Sequence, residues 1–166
     1  MDVNEFLTIK DVLSKSSDYL ARHCITNFKT DTEWLVAHAL GWKRMDLYLH
    51  FDEILSSDSL LSIKSLIIRR GRREPLQHIL GSVQFAGVTL KCDSRALIPR
   101  HETEFLVDEL FQRLGKEFDG RIADLGSGTG AIVLSLCSLM PKASGVGFEK
   151  STDALSLANE NLTLCD

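Results

Sequence analysis

The sequence predicts an α/β chain: an N-terminal helical bundle, a β-hairpin linker, and the first part of a parallel α/β sheet domain. Three observations carry this expectation. Apolar residues recur at helical spacing from residue 8 to residue 70, and β-branched and aromatic residues then gather around Gly81 and Gly87. From residue 121 strand-like and helix-like segments alternate, which is the start of a parallel sheet. The expected divisions are residues 1–73, 74–100 and 101–166.

In "TIKDVLSKSSDYLARHC", residues 8–24, Ile9, Val12, Leu13, Leu20 and Cys24 share one face of an amphipathic helix. "TDTEWLVAHALG" predicts a second helix, with Thr30 or Asp31 as N-cap, Glu33 in capping-box register with Thr30, and Gly41 as the stop. Trp34 and Trp42 are expected to pack in the helical core. "RMDLYLHF" and "SSDSLLSIKSLIIRR" predict two more helices, the second with Leu60, Leu61, Lys64, Ile67 and Ile68 on one side. The run "RRGRREP", residues 69–75, reads as a solvated helix end whose cations complement the dipole, with a phosphate grip as the rival reading.

After Pro75, "LQHILGSVQFAGVTLKCDSRALIP" predicts two short strands joined by a turn. "ETEFLVDELFQRLG" is helical and closes at Gly115. Then follow the strand of "RIADLGSGTG", the helix "AIVLSLCSLM" ended by Pro141, the strand "SGVGFE", and the helix "STDALSLANENL" capped by Ser151.

The 166 residues are 44% hydrophobic and carry a net charge of −4, so they can bury a core and have no overall basic character for binding nucleic acid. Cys24, Cys92, Cys137 and Cys165 are far apart and form no C-x-x-C pair, so they read as reduced thiols in cytosol. The five histidines are scattered and no metal motif emerges. "MDVNEFLTIK" lacks the charge and apolar pattern of a secretion signal, and "AIVLSLCSLM" is too short to span a membrane, so a cytoplasmic protein with no membrane contact is expected.

The chemistry concentrates in "IADLGSGTGAIV", residues 122–133. A glycine-rich strand-to-helix turn sets bare backbone and the positive helix end against a ligand. Gly126, Gly128 and Gly130 fit that need, and Glu149, about 20 residues on, ends the next strand, where an acid accepts hydrogen bonds from ribose hydroxyls. Gly126, Gly128 and Ala131 also satisfy the dinucleotide form, so a nicotinamide cofactor stays open. Asp124 tips the balance, because an acid before the turn suits the cationic S-adenosyl-L-methionine better than a pyrophosphate. An ordinary turn with a surface acid is the plainer alternative.

Four segments, "DTEWLVAHALGWKRMDLYL", "EPLQHILGSVQF", "LIPRHETEFLVDEL" and "IADLGSGTGAI", resemble the HemK family, the release-factor N5-glutamine methyltransferases, in the family's order. The resemblance implies a helical domain that recognises a peptide chain release factor, a hairpin linker, and a Rossmann-like methyltransferase domain using S-adenosyl-L-methionine. By position, Gly126, Ser127, Gly128, Thr129 and Gly130 would form the cofactor loop, with Glu149 where the family has aspartate on the ribose. Arg100, Glu102 and Thr103 would lie beside the active site, in a segment that reads "RHETE" where the family has R-P-E-T-E. His101 thus replaces a proline, and a tolerated cap-region substitution is expected there rather than a functional histidine.

The family's N-P-P-Y motif, which supplies acceptors for the amide protons, does not occur in these residues, which end after two strands of the expected sheet. Catalysis by this chain alone is therefore not expected, and an exposed sheet edge with uncovered apolar faces is. Two rival readings accompany the methyltransferase: a non-catalytic module that binds a release factor, and an NAD-binding protein. Oligomeric state is not legible.

Overall fold

The computed structural model describes residues 7–165. They form two compact units that divide between Leu80 and Gly81, each with its own core.

The first unit is all-helical. Helix α1 (Ile9–Arg22) opens on a complete capping box, in which Thr8 Oγ1 accepts the Asp11 N–H at 3.2 Å and Asp11 Oδ2 accepts the Thr8 N–H at 3.0 Å. Helix α2 (Phe28–Leu40) stops at Gly41 in the left-handed conformation (φ 67°), as expected. Short α3 (Asp46–Leu49) leads to α4 (Ser57–Gly71), whose N-cap Ser56 accepts the Ser59 N–H. Helix α5 (Leu76–Leu80) follows Pro75. The core joins Ile9, Val12 and Leu20 of α1, Leu35 and Val36 of α2, and Ile63 and Ile67 of α4.

Six details differ from the expectation. Helix α2 begins at Phe28, before the proposed caps, and Asp31 turns inward to pair with Arg70 at 2.7 Å. Cys24 is exposed (φ 55°) and Ile25 takes the buried place instead. Trp34 is 43% exposed, with the Arg44 guanidinium 5.3 Å from its ring, rather than in the core; Trp42 does pack against the core. On α4 the buried stripe runs through Ile63 and Ile67, leaving Leu61 and Lys64 exposed. Residues 76–80 are helical, because Pro75 fits a helix start and its carbonyl accepts the His78 and Ile79 N–H groups. The basic run is also not simply solvated, since Arg69 pairs with Glu74 and Arg70 with Asp31.

The second unit opens on an antiparallel hairpin, β1 (Ser82–Phe85) and β2 (Val88–Lys91), closed by the two residues Ala86 and Gly87 at φ 42° and 88°. Positive φ at both positions is the type I′ turn that matches strand twist. Helix α6 (His101–Leu114) ends at Gly115. Strands β3 (Arg121–Leu125) and β4 (Ser144–Phe148) pair in parallel, with Ile122 opposite Gly145 and Asp124 opposite Gly147. Helix α7 (Ala131–Leu139) supplies the crossover between them, and α8 (Thr152–Cys165) starts with Ser151 Oγ accepting the Ala154 N–H.

Helix α7 lies directly on one face of the sheet. A Cβ at Gly145 would overlap Val133 and Cys137 side chains, so glycine there sets how closely helix and strand pack. Val133, Leu134 and Leu136 of α7 join Phe85, Leu90 and Val107 in the core, as expected for this apolar helix. The opposite face carries Leu125, Val146 and Phe148 exposed, matching the expected uncovered apolar face. No helix of the described residues is long and apolar enough to cross a membrane, and none of their acidic, histidine or cysteine side chains cluster as a metal site.

Candidate functional site

The glycine turn lies at the strand-to-helix junction between β3 and α7. Gly126, Gly128 and Gly130 hold φ values of 80°, 54° and 80°, a conformation that side-chain-bearing residues adopt only with strain. A Cβ at Gly126 or Gly128 would meet nothing within 4 Å, so these two serve the backbone path and leave open space in front of it. Ser127 and Thr129 are buried and face inward.

The loop's own donors are largely spent on the protein. Gly126 and Ser127 both donate to the Phe148 carbonyl, at 2.7 and 3.1 Å, which stitches the loop to the end of β4. Gly130 donates to the Ser127 carbonyl at 2.8 Å. Gly128 donates to Glu149 Oε2 at 2.9 Å, while Glu149 Oε1 accepts the Ser151 N–H at 2.9 Å. These backbone donors hold the Glu149 carboxyl below its usual pKa, so it is ionised at neutral pH. Each of its oxygens keeps a further lone pair for a ligand hydroxyl.

Asp124 lies on the α7 face of the sheet and accepts the Val133 N–H in the first turn of that helix. It replaces the side-chain cap that Gly130 cannot provide. Burial pushes its carboxyl above the usual range, and Oδ2 is buried without a hydrogen-bond partner. An orphaned buried acceptor is rare and marks a place for a donor.

Two anchoring residues escaped the sequence reading. Asn161 on α8 is fully buried; its Oδ1 accepts the Lys91 N–H at 2.6 Å, and its Nδ2 donates to the Lys91 and Thr129 carbonyls at 3.2 and 3.0 Å. One side chain therefore joins β2, α8 and the glycine loop. Its signal in the sequence is a polar residue in register with the buried Ala154 and Leu157 of the same helix. Glu104 is the other: Oε2 accepts the Ala86 N–H at 3.2 Å at the hairpin turn, and Oε1 meets His101 Nδ1 at 3.0 Å. His101 is thus a first-turn partner of Glu104, which raises its pKa.

Arg100, Glu102 and Thr103 occupy the start of α6. Arg100 and Glu102 are exposed and Thr103 is half-buried, and among the described residues none of their side chains hydrogen-bonds the glycine loop.

The PrmC N-terminal domain family matches residues 11–81, and the methyltransferase small domain family matches residues 101–165. Release factor glutamine methyltransferase of Geobacter sulfurreducens is 40% identical over 95% of this chain and 55% of its own length. The proteins of that name from Deinococcus radiodurans and Vibrio cholerae are 36% and 35% identical, each over 95% of this chain, and over 57% and 54% of their own lengths. The chain thus joins a PrmC N-terminal domain to a methyltransferase small domain and is similar over nearly its whole length to release factor glutamine methyltransferases. It spans about half the length of the curated relatives it matches. The methyltransferase domain match implies a methyl donor of the S-adenosylmethionine type, so the loop and its two carboxylates can be weighed against that group. They fit it: the space before Gly126 and Gly128 is open, Glu149 offers ionised oxygens beside it, and Asp124 has one oxygen without a donor.

Proposed function

We propose that this chain is the recognition and cofactor-loop portion of an S-adenosyl-L-methionine-dependent enzyme that methylates a glutamine side-chain amide of a peptide chain release factor. The observation that carries this reading is the state of the loop's donors. Gly126, Ser127, Gly128 and Gly130 already donate within the protein, and a carboxylate sits on the Gly128 N–H. A pyrophosphate needs such N–H groups free and would be repelled by Glu149. A neutral adenosine joined to a cationic sulfonium needs neither and gains from both acids.

In this reading Gly126, Ser127, Gly128, Thr129 and Gly130 form the wall against which the cofactor lies. Glu149 accepts the ribose hydroxyls through its remaining lone pairs, and the extra methylene relative to aspartate lets the same carboxylate reach the Gly128 N–H. Asp124 fixes the start of α7 and answers the cofactor's ammonium with Oδ2. S-adenosyl-L-methionine, when bound, supplies a methyl group on a positively charged sulfur. A glutamine amide nitrogen is a weak nucleophile and must be held in line with that methyl. We assign Arg100, Glu102 and Thr103 to the acceptor side of the site on resemblance, the partner to a protein rather than a nucleic acid, and the setting to the cytoplasm.

Calorimetric titration of the chain with S-adenosylhomocysteine and, separately, NADH tests this. The expected outcome is saturable heat with the former and none with the latter, with Glu149→Ala weakening binding by about tenfold, in line with a lost charge-assisted hydrogen bond. Binding of NADH alone would contradict the reading.

A further inference from the structure

Thr129 stands between Gly128 and Gly130, both at positive φ (54° and 80°). Because the residue after Thr129 lacks a Cβ, sterics alone put little barrier against a flip of the Thr129–Gly130 peptide plane. Hydrogen bonds hold that plane at both ends instead. Its N–H, on Gly130, donates to the Ser127 carbonyl at 2.8 Å, and its carbonyl, on Thr129, accepts Asn161 Nδ2 at 3.0 Å. Ser127 is fixed in turn: its N–H donates to the Phe148 carbonyl at 3.1 Å, and its side chain sits over Gly147, where a Cβ would come within 2.8 Å of Ser127 Oγ.

The Asn161 amide is itself set by another element. Its Oδ1 accepts the Lys91 N–H at 2.6 Å and its Nδ2 also donates to the Lys91 carbonyl at 3.2 Å, so the β2 backbone dictates how the amide faces the loop. The reversed amide would set its oxygen against two carbonyls and its NH2 against an N–H, so one orientation alone satisfies all three partners. Asn161 is fully buried, and water does not compete for these bonds. The preceding residue, Glu160, adds ion pairs to Lys91 and Arg95, which fasten α8 to the exit of the hairpin. A continuous path of bonds therefore runs from the β2 backbone at Lys91 through Asn161 and the Thr129–Gly130 peptide to Ser127 and the end of β4. Gly128 lies within that path and presents its N–H to Glu149.

On the S-adenosyl-L-methionine reading, on which this rests, we infer that Asn161 is a positioning residue for cofactor binding and that the hairpin is the body against which it sets the glycine loop. Asn161 acts through Thr129 and touches no reacting group. Coupling of this kind is reciprocal: a ligand that needs the loop in this setting also strengthens the Asn161 bond to the Lys91 N–H, on a different element.

Amide hydrogen exchange of the full chain, followed by NMR, tests the inference in two arms. Without ligand, Asn161→Asp keeps the acceptor for the Lys91 N–H but turns an oxygen on the Thr129 carbonyl. Exchange at Gly130 is then expected to rise about tenfold while Lys91 stays protected. With saturating S-adenosylhomocysteine, the Lys91 amide of the unsubstituted chain is expected to slow about tenfold while the neighbouring Cys92 amide, bonded to the Gly81 carbonyl, does not change. Asn161→Asp is expected to weaken binding about tenfold and to abolish the slowing at Lys91. The comparison of Lys91 with Cys92 needs no substitution, so it stands whatever the stability of the variant. Equal slowing of Lys91 and Cys92 would mark global stabilisation and overturn the inference, as would unaltered Gly130 exchange in ligand-free Asn161→Asp. No binding of S-adenosylhomocysteine by the unsubstituted chain would overturn the cofactor reading, and the Gly130 result would then still decide whether Asn161 sets the loop.

Discussion

Asp31 shows how a single residue is read differently by sequence and by structure. Asparagine, aspartate and threonine near a helix start invite an N-cap assignment, yet Asp31 lies within the first turn of α2 with only 7% of its side chain exposed, paired to Arg70 at 2.7 Å. The partner is 39 residues away, and no local pattern reveals it. Asp31→Ala leaves a half-buried guanidinium without its counter-charge and is expected to destabilise the chain by about 2–3 kcal/mol in urea unfolding. Asn161 makes the same point in the second unit. Asn161→Ala strips hydrogen bonds from two carbonyls and one N–H and is expected to cost about 3 kcal/mol, with weaker S-adenosylhomocysteine binding because Thr129 loses its anchor. Asn161→Asp, which keeps the acceptor for the Lys91 N–H, is expected to recover part of the stability and little of the affinity. By contrast the strand-to-helix turn at Gly126, Gly128 and Gly130 and the place of Glu149 just after the next strand were legible as geometry, because these elements are close in sequence and need particular residue types.

At the scale of elements, the hairpin is held to α8 by a charged cluster at its exit. Arg95 pairs with Asp93 and Glu160, and Lys91 shares Glu160. The Arg95 guanidinium lowers both carboxyls to about 2, with Lys91 adding to the shift at Glu160. A carboxyl whose folded pKa is depressed contributes stability above its unfolded pKa and loses it as pH falls through the folded one. The second unit is therefore expected to lose stability as pH drops from about 4.5 to about 2, and Glu160→Gln is expected to flatten that dependence in acid unfolding curves followed by circular dichroism. Elements with strong local signals were legible: the helix stops at Gly41 and Gly115, the Ser151 cap, and a pair of short strands joined by a turn, which the structure closes at Ala86 and Gly87. Helix α5 was not, since a run as short as Leu76–Leu80 carries no periodicity that separates helix from strand, and its packing against α2 decides it.

At the scale of the whole molecule, the two units carry different features. The helical unit, residues up to Leu80, presents an apolar groove bordered by cations; the unit from Gly81 presents a glycine turn whose donors are satisfied and whose mouth carries acids. The second unit also leaves Leu125, Val146 and Phe148 exposed on one sheet face, so its core is one-sided and its stability depends on α7 and the hairpin. On the proposed function, the crevice between the β3–α7 turn and the end of β4 is built for a sulfonium nucleoside. Amide NMR of the chain titrated with S-adenosylhomocysteine tests it residue by residue. The expected result is saturable shifts confined to Gly126 through Gly130 and to Glu149 through Ser151, with NADH producing none; shifts that bypass these amides, or that NADH reproduces, would contradict it.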